Sequence, residues 1–380
     1  NYTMFYVQGD GLTLKNMTFG DYCNVDLVYP ADPSLNVPAR APGNITQGQI
    51  GWYDGDKLFA ENVRFVSRLN MMPFNNNYRA LYVNCHMEST DDSLNGSSQA
   101  VYLGCDLEFY SSKPWASSSG VTLLDCDMKI IPKTPDAQSV SQYLAKWAGP
   151  FTVVDSSFHC DVPQVTIGWS DVFNETFKSY YSNVDLNGTP ITFDGGARPD
   201  AGVDLTGKDA LKAFKLADGT YNIYNLLRGK DDWDPMGQKA KITAAGAADL
   251  PTSMEAYVIT GDTTAHFVTI ESGGESGVVT LGSRIKGPQS TNYNDAARVT
   301  WSVADSDKQY VELAPNADGT CKVTGVNTTE ETALVVVTAR DASGLEAAEA
   351  LYVRPKIQPP PVLAQAPVVT QKGGQAQVAY

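Results

Sequence analysis

The chain has no CxxC pair and only three histidines, His86, His159 and His266, in 380 residues. Zinc sites and Ser-His-Asp triads therefore have little to draw on, and hydrolytic chemistry is expected to use carboxylates. Six cysteines, Cys23, Cys85, Cys105, Cys126, Cys160 and Cys321, are too sparse for a disulfide framework at this length. Basic residues are also short, with 28 Lys and Arg against 43 Asp and Glu and a net charge of −15. Phosphate backbones need a basic surface, so no nucleic-acid partner is expected. No apolar run reaches the length of a membrane span, so no membrane insertion is expected. The opening "NYTMFYVQGDGLTL" lacks the basic and apolar regions of a signal peptide, which reads as a mature form or a fragment.

Gly, Asn, Ser, Thr and Tyr are plentiful, a mixture that favours β-rich secreted proteins. Residues 1–170 repeat one pattern: "GLTLKNMTF", "KLFAENVRF", "RALYVNCHM", "QAVYLGCDL", "GVTLLDCDM", "PFTVVDSSF". Each has alternating apolar residues, then Asn, Asp or Gly, then Cys or a small residue. Cys85, Cys105 and Cys126 are spaced by 20 and then 21 residues. A period near twenty with short strands and no helical pattern predicts a right-handed parallel β-helix, with these cysteines as an inward ladder. The fold class is all-β. The β-helix is assigned to 1–236, with 171–236 as closing coils and a covering tail. Residues 237–355 have strand and turn spacing that predicts an Ig-like β-sandwich. Residues 356–380 read as a Pro-rich linker and the start of a further module.

In "CHMESTDDSLNGSSQAVYLGC" the Asp91-Asp92 pair is either a polar turn between coils or a catalytic pair. The stretch resembles the pectin methylesterase motif C-x-I-E-G-T-V-D-F-I-F-G. Cys85, Glu88, Thr90, Asp92 and Gly96 fall on its Cys, Glu, Thr, Asp and Gly. Further stretches follow the family in order: "VQGDGLTLKNMTF", "QIGWYDGDKLFAENVRF", "SGVTLLDC", "YLAKWAGPFTVV" and "VPQVTIGWSD". The resemblance covers roughly 1–236 and implies that the family's early coils are missing here.

The resemblance implies that Asp92 is the nucleophile. Asn70 stands where the family has its acidic proton donor. Lys146 stands at the family's Arg, although a rival alignment places Lys113 and Trp115 on those letters. The family's Gln falls on Gln47 or Gln49, and Asp91 is an alternative proton source. Trp115, Trp147 and Trp169 are candidate sugar-stacking platforms, and Tyr53 and Arg68 candidate groove residues. Arg68 could meet a galacturonate carboxylate. No metal or cofactor is implied.

Three functions remain open. The first is an esterase removing methyl esters from galacturonate in pectin, with a variant site. The second is an inactive β-helix serving as a glycan-binding or scaffold module. The third is a calcium-dependent lyase. The expected partner is a pectic polysaccharide and the expected state a monomer. The second half resembles bacterial Ig-like domains, which places the protein outside the cell, secreted, periplasmic or on the bacterial surface.

Overall fold

A computed structural model describes residues 2–21, 32–35, 48–67, 73–74, 79–89, 94, 99–110, 113–115, 120–132, 136–146, 150–170, 178–193, 202–229, 231–247, 250, 253–261, 263–286, 292–293, 299–341, 344–356, 368–372 and 375–379. The chain is mostly β-structure. Packing of Cα atoms divides it into two units: Asn1–Glu255 with Arg284–Asn294 and Asp341–Glu346, and the remainder.

The first unit is built of stacked coils. The first coil holds β1 (Tyr2–Gln8), β2 (Thr13–Lys15) and β3 (Thr18–Asp21), and the second β4 (Gly48–Asp54), β5 (Leu58–Glu61) and β6 (Arg64–Ser67). Then come β7 (Arg79–Val83) and β8 (His86–Ser89), β9 (Gln99–Leu103) and β10 (Asp106–Phe109), and β11 (Gly120–Leu124) and β12 (Asp127–Ile130). After β13 (Ser139–Tyr143), the long β14 (Phe151–His159) serves both sides of a coil. It is followed by β15 (Gln164–Gly168) and β16 (Ser179–Leu186). The pairing runs β2-β5-β7-β9-β11-β14-β12-β10-β8-β6-β3 within a 14-stranded sheet. This large parallel sheet curls back through β14, an arrangement compatible with a β-helix.

The corner between paired strands explains the Asn, Asp or Gly of each repeat. Asn16, Asn62, Asn84, Gly104, Asp125, Asp155 and Asn183 all sit there with φ between 50° and 62°. These residue types tolerate the left-handed region best. Corner amides bond to the following coil, Asn62 N to Val83 O at 3.0 Å and Asn84 N to Leu103 O at 2.9 Å. Their side chains form a ladder where they can: Asn62 Nδ2 donates to Asn16 Oδ1 at 3.2 Å, and Asn183 Nδ2 to Asp155 Oδ1 at 2.8 Å. The residue after each corner points inward. There Cys85, Cys105 and Cys126 are free, buried thiols. Each donates to a carbonyl of the preceding coil, as Cys105 Sγ does to Tyr82 O at 3.4 Å.

Aromatic rings fill the interior. Tyr82 and Tyr102 stack on successive rungs with centroids 4.9 Å apart. The sheet of β5, β7, β9, β11, β14 and β16 is apolar on both faces, which is why "RALYV" and "QAVYL" lack strict alternation. Its outer face, including Leu81, Val101, Leu124 and Val154, is covered by Leu205, Phe214 and the short helix α1 (Ile223–Leu227). Arg79 fastens this cover. Its guanidinium donates to Leu227 O and Asp231 Oδ1, each at 2.8 Å, and bonds the Asp56 carboxylate. The Trp233 ring lies 5.5 Å from the Arg79 guanidinium carbon. The first unit continues through α2 (Lys239–Ala245), whose Ile242 packs with Leu216 and Tyr224.

Beyond it lie a six-stranded and a four-stranded sheet. Strands Ala333–Asp341 and Glu346–Arg354 alternate buried and exposed residues, as half-buried strands do. A two-stranded antiparallel ribbon joins Val368–Lys372 to Gln375–Ala379. Among the described residues no helix is long and apolar enough to cross a membrane.

Candidate functional site

The described residues of the motif stretch, 85–89 and Leu94, belong to one coil of the stack. Cys85 starts it inside, β8 follows, and Leu94 returns to the interior fully buried. The Leu94 amide donates to Pro114 O at 2.8 Å, which locks this coil onto the next one. Asp91 and Asp92 fall between the anchors Ser89 and Leu94. They lie outside the described residues, as do Asn70, Arg68, Gln47 and Trp147.

Glu88, the motif's glutamate, is described and engaged. It is buried in spite of its charge and accepts from Arg64 Nη2 at 2.8 Å, with His86 Nε2 at 3.3 Å. Its carboxyl is held below the ordinary value, first by the His86 hydrogen bond and then by the Arg64 charge, against the opposing effect of burial. Glu88 thus ties β6 to β8.

Two lysines follow on the next rungs. Lys113 is partly buried and immediately precedes Pro114, the acceptor of the Leu94 amide. Lys146 is exposed, and its amide donates to Trp115 O at 2.8 Å. The rung of Lys113 is adjacent to that of Leu94, and the rung of Lys146 is one further. Gln49 is partly buried, and its Oε1 accepts from Thr3 Oγ1 at 2.9 Å.

Three residues expected at a sugar surface lie in the interior instead. Trp115 is 0 % exposed, its Nε1 donates to Tyr102 OH at 3.2 Å, and the Phe109 and Phe151 rings meet it edge-on. Trp169 is also 0 % exposed and stacks on Phe193 with centroids 4.1 Å apart. Tyr53 is buried; its hydroxyl donates to Asp56 O at 2.6 Å and accepts from the Leu12 amide at 3.2 Å. None of the three offers a ring face to a ligand, because each fills a coil that has to be packed.

One surface escaped sequence reading. The outer face of β8, β10, β12 and β14 forms a shallow groove of about 290 Å³ lined by His86, Asp106, Glu108, Asp127, Lys129 and His159. Register sets two columns: His86, Asp106, Asp127 and Ser157 in one, and Glu88, Glu108, Lys129 and His159 in the other. His159 Nε2 lies 2.7 Å from Asp127 Oδ1, and Ser157 Oγ donates to Asp185 Oδ2 at 2.6 Å. The signal was present in "HME", "DLE", "DMK" and "SFH", whose first and third residues are polar in every coil. Such a face can exchange protons and hydrogen-bond a polar ligand. Among the described residues no group of three His, Cys, Asp or Glu side chains is arranged to hold a metal ion.

Comparison with protein-family models, curated proteins and solved structures finds no match to this chain.

Proposed function

We propose that the protein is a carbohydrate esterase that removes methyl esters from galacturonate residues of pectin, built on a right-handed parallel β-helix followed by an Ig-like sandwich. Asp92 is the nucleophile in this reading. Its carboxylate oxygen attacks the ester carbonyl, and the tetrahedral oxyanion collapses to an acyl-aspartyl anhydride. Methanol leaves with a proton from water or Asp91. Water then cleaves the anhydride, which yields the free galacturonate and restores the Asp92 carboxylate. Lys146 keeps Asp92 ionised, as a point charge rather than a bidentate fork. Asn70 donates a hydrogen bond to the oxyanion but no proton. Loss of a dedicated proton donor slows such a reaction by about 10²–10⁴, so a slow esterase is expected.

The observation that carries this reading is the anchoring of the motif. Cys85 and Leu94 are interior, Glu88 is ion-paired, and Leu94 is bonded to the coil that brings in Lys113. The acidic pair is thereby bracketed by residues fixed in the stack, with lysines on the rungs that follow.

A second reading, a non-catalytic glycan-binding or scaffold module, is favoured by the burial of Trp115, Trp169 and Tyr53, which removes three expected sugar contacts. Binding of methyl-esterified and de-esterified oligogalacturonides, measured alongside methanol release for wild type and Asp92→Ala, separates the two. Binding without methanol in both proteins sinks the esterase. Chain cleavage without methanol release that a chelator abolishes points to the calcium-dependent lyase instead.

A further inference from the structure

We propose that the groove over β8, β10, β12 and β14 is a second hydrolytic site, at which His159 activates water against a small acyl ester carried by a neutral sugar chain. Three of its groups stand together. His159 Nε2 lies 2.7 Å from Asp127 Oδ1. An ionised carboxylate only accepts, so Nε2 carries the proton and Nδ1 keeps the lone pair of a base. Nδ1 has no partner among the described residues. Lys129 is the register partner of His159 on the neighbouring strand, one strand spacing of ~4.7–4.9 Å away. Its ammonium is 4.0 Å from Glu108 Oε1, too far for a hydrogen bond, so its protons remain open to a developing negative charge. All three residues line the groove, and all three are more than half exposed. Exposed pairs of this kind add little to stability, so stability does not account for the arrangement. The other histidine of the groove is committed elsewhere, since the carboxylate beside His86, that of Glu88, is buried and shared with Arg64.

The nucleophile is water. Ser157, two residues before His159 on the same strand, gives its hydroxyl proton to Asp185 at 2.6 Å and so does not serve the imidazole. A water oxygen forms the new bond to the ester carbonyl carbon while its proton passes to His159 Nδ1. The oxyanion forms against the Lys129 ammonium. The bond from that carbon to the sugar oxygen then breaks, and the imidazolium returns the proton to the departing oxygen. The products are a carboxylic acid, which ionises, and a free sugar hydroxyl. Asp127 is a positioning residue: it fixes the tautomer and faces the imidazolium charge. The lining selects the substrate. The groove is shallow and mostly polar, with no slot for a long acyl chain, so the acyl group is an acetyl. Asp106 and Glu108 accept hydrogen bonds from sugar hydroxyls and repel carboxylates, so the sugar is neutral. The site is independent of Asp92 and releases acetate rather than methanol.

Acetate release from O-acetylated xylan oligosaccharides tests this, with His159→Gln, His159→Gly and Lys129→Gln beside the wild type and far-UV circular dichroism as the folding control. The wild type is expected to release acetate above the rate without protein. His159→Gln is expected to lower kcat by about 10², the low end of the ~10²–10⁴ for a positioned base. Added imidazole is expected to restore release in His159→Gly, which a merely structural histidine would not allow. Lys129→Gln is expected to lower kcat by about tenfold, less than the ~10²–10³ of an enclosed oxyanion donor because Lys129 is exposed. Should the His159 variants fail to fold, Lys129→Gln decides alone. No acetate from a folded wild type overturns the proposal. So does release that His159→Gln leaves unchanged, or a loss in His159→Gly that imidazole does not repair. Because the product read is acetate, such a failure leaves the Asp92 reading standing, and a failure of methanol release leaves this one.

Discussion

Replacing Trp115 separates an interior wedge from a sugar platform. Its ring meets those of Tyr102, Phe109 and Phe151 at 5.3–5.8 Å, and its Nε1 is bonded to a buried hydroxyl. Truncating such a residue to Ala costs about 3–5 kcal/mol, from lost transfer free energy plus the cavity left behind. Trp115→Phe keeps most ring contacts, loses the bond to Tyr102 and is expected to cost about 1–3 kcal/mol. The chain has two units, so a single unfolding midpoint would mix them. Native-state hydrogen exchange at β9, β11 and β14 reads the effect locally. A loss of about 3 kcal/mol speeds exchange there by about a hundredfold, with the strands of the second unit unchanged. Binding of pectic oligomers should survive Trp115→Phe. Unchanged exchange together with lost binding would refute the interior assignment.

Other outcomes follow from the same geometry. Arg79→Ala leaves Asp56 and Asp231 without their shared guanidinium, and opening of α1 in hydrogen exchange should become easier by about 2–3 kcal/mol, below the ~3–5 kcal/mol of a fully buried broken pair because Asp231 is half exposed. Burial opposes ionisation of Asp56, but hydrogen bonds from Arg79 outweigh it, and Asp231 is lowered chiefly by its Arg79 bond. The stability both carboxylates bring is complete above about pH 4, the ordinary aspartate value, and is lost as pH falls through their lowered values. Acid melting curves should therefore diverge between wild type and Arg79→Ala above this range and converge below it. Gly104 has φ +62°, so Gly104→Ala should cost about 1–2 kcal/mol, while Gly104→Asn, matching its stacked neighbour Asn84, should cost less. Equal melting temperatures for the two variants would contradict the corner argument. If Lys146 holds Asp92 ionised, Lys146→Ala should move the acid limb of the methanol-release pH profile upward, whereas a merely solvated lysine would leave it in place.

The coils were legible because two signals coincide in each repeat. Alternating apolar residues end at a corner that only Asn, Asp or Gly occupies cheaply, and the next residue must be small or apolar to point inward. "YVNC", "YLGC" and "LLDC" carry both signals. Trp115 and Trp169 carry neither, and a tryptophan in sequence reads equally well as a platform or a wedge. Burial by a neighbouring coil decides between them, and that is a tertiary fact. The cover over β7, β9 and β11 was half legible, since apolar residues on both strand faces demand a second layer and the less regular 171–236 offers a covering tail, without saying which of its residues make the contact. The His-carboxylate groove was hidden because charges at outward strand positions look like ordinary solvated residues until register stacks them. For the acidic pair, the sequence offers the motif and the structure its anchors at Ser89 and Leu94.

The most direct measurement is the rate of methanol release from fully methyl-esterified polygalacturonate, for wild type and Asp92→Ala in the presence of chelator. The account predicts slow, chelator-insensitive release that disappears in Asp92→Ala while the coil stack stays folded. Release that persists in Asp92→Ala, or none from a folded wild type, would contradict it.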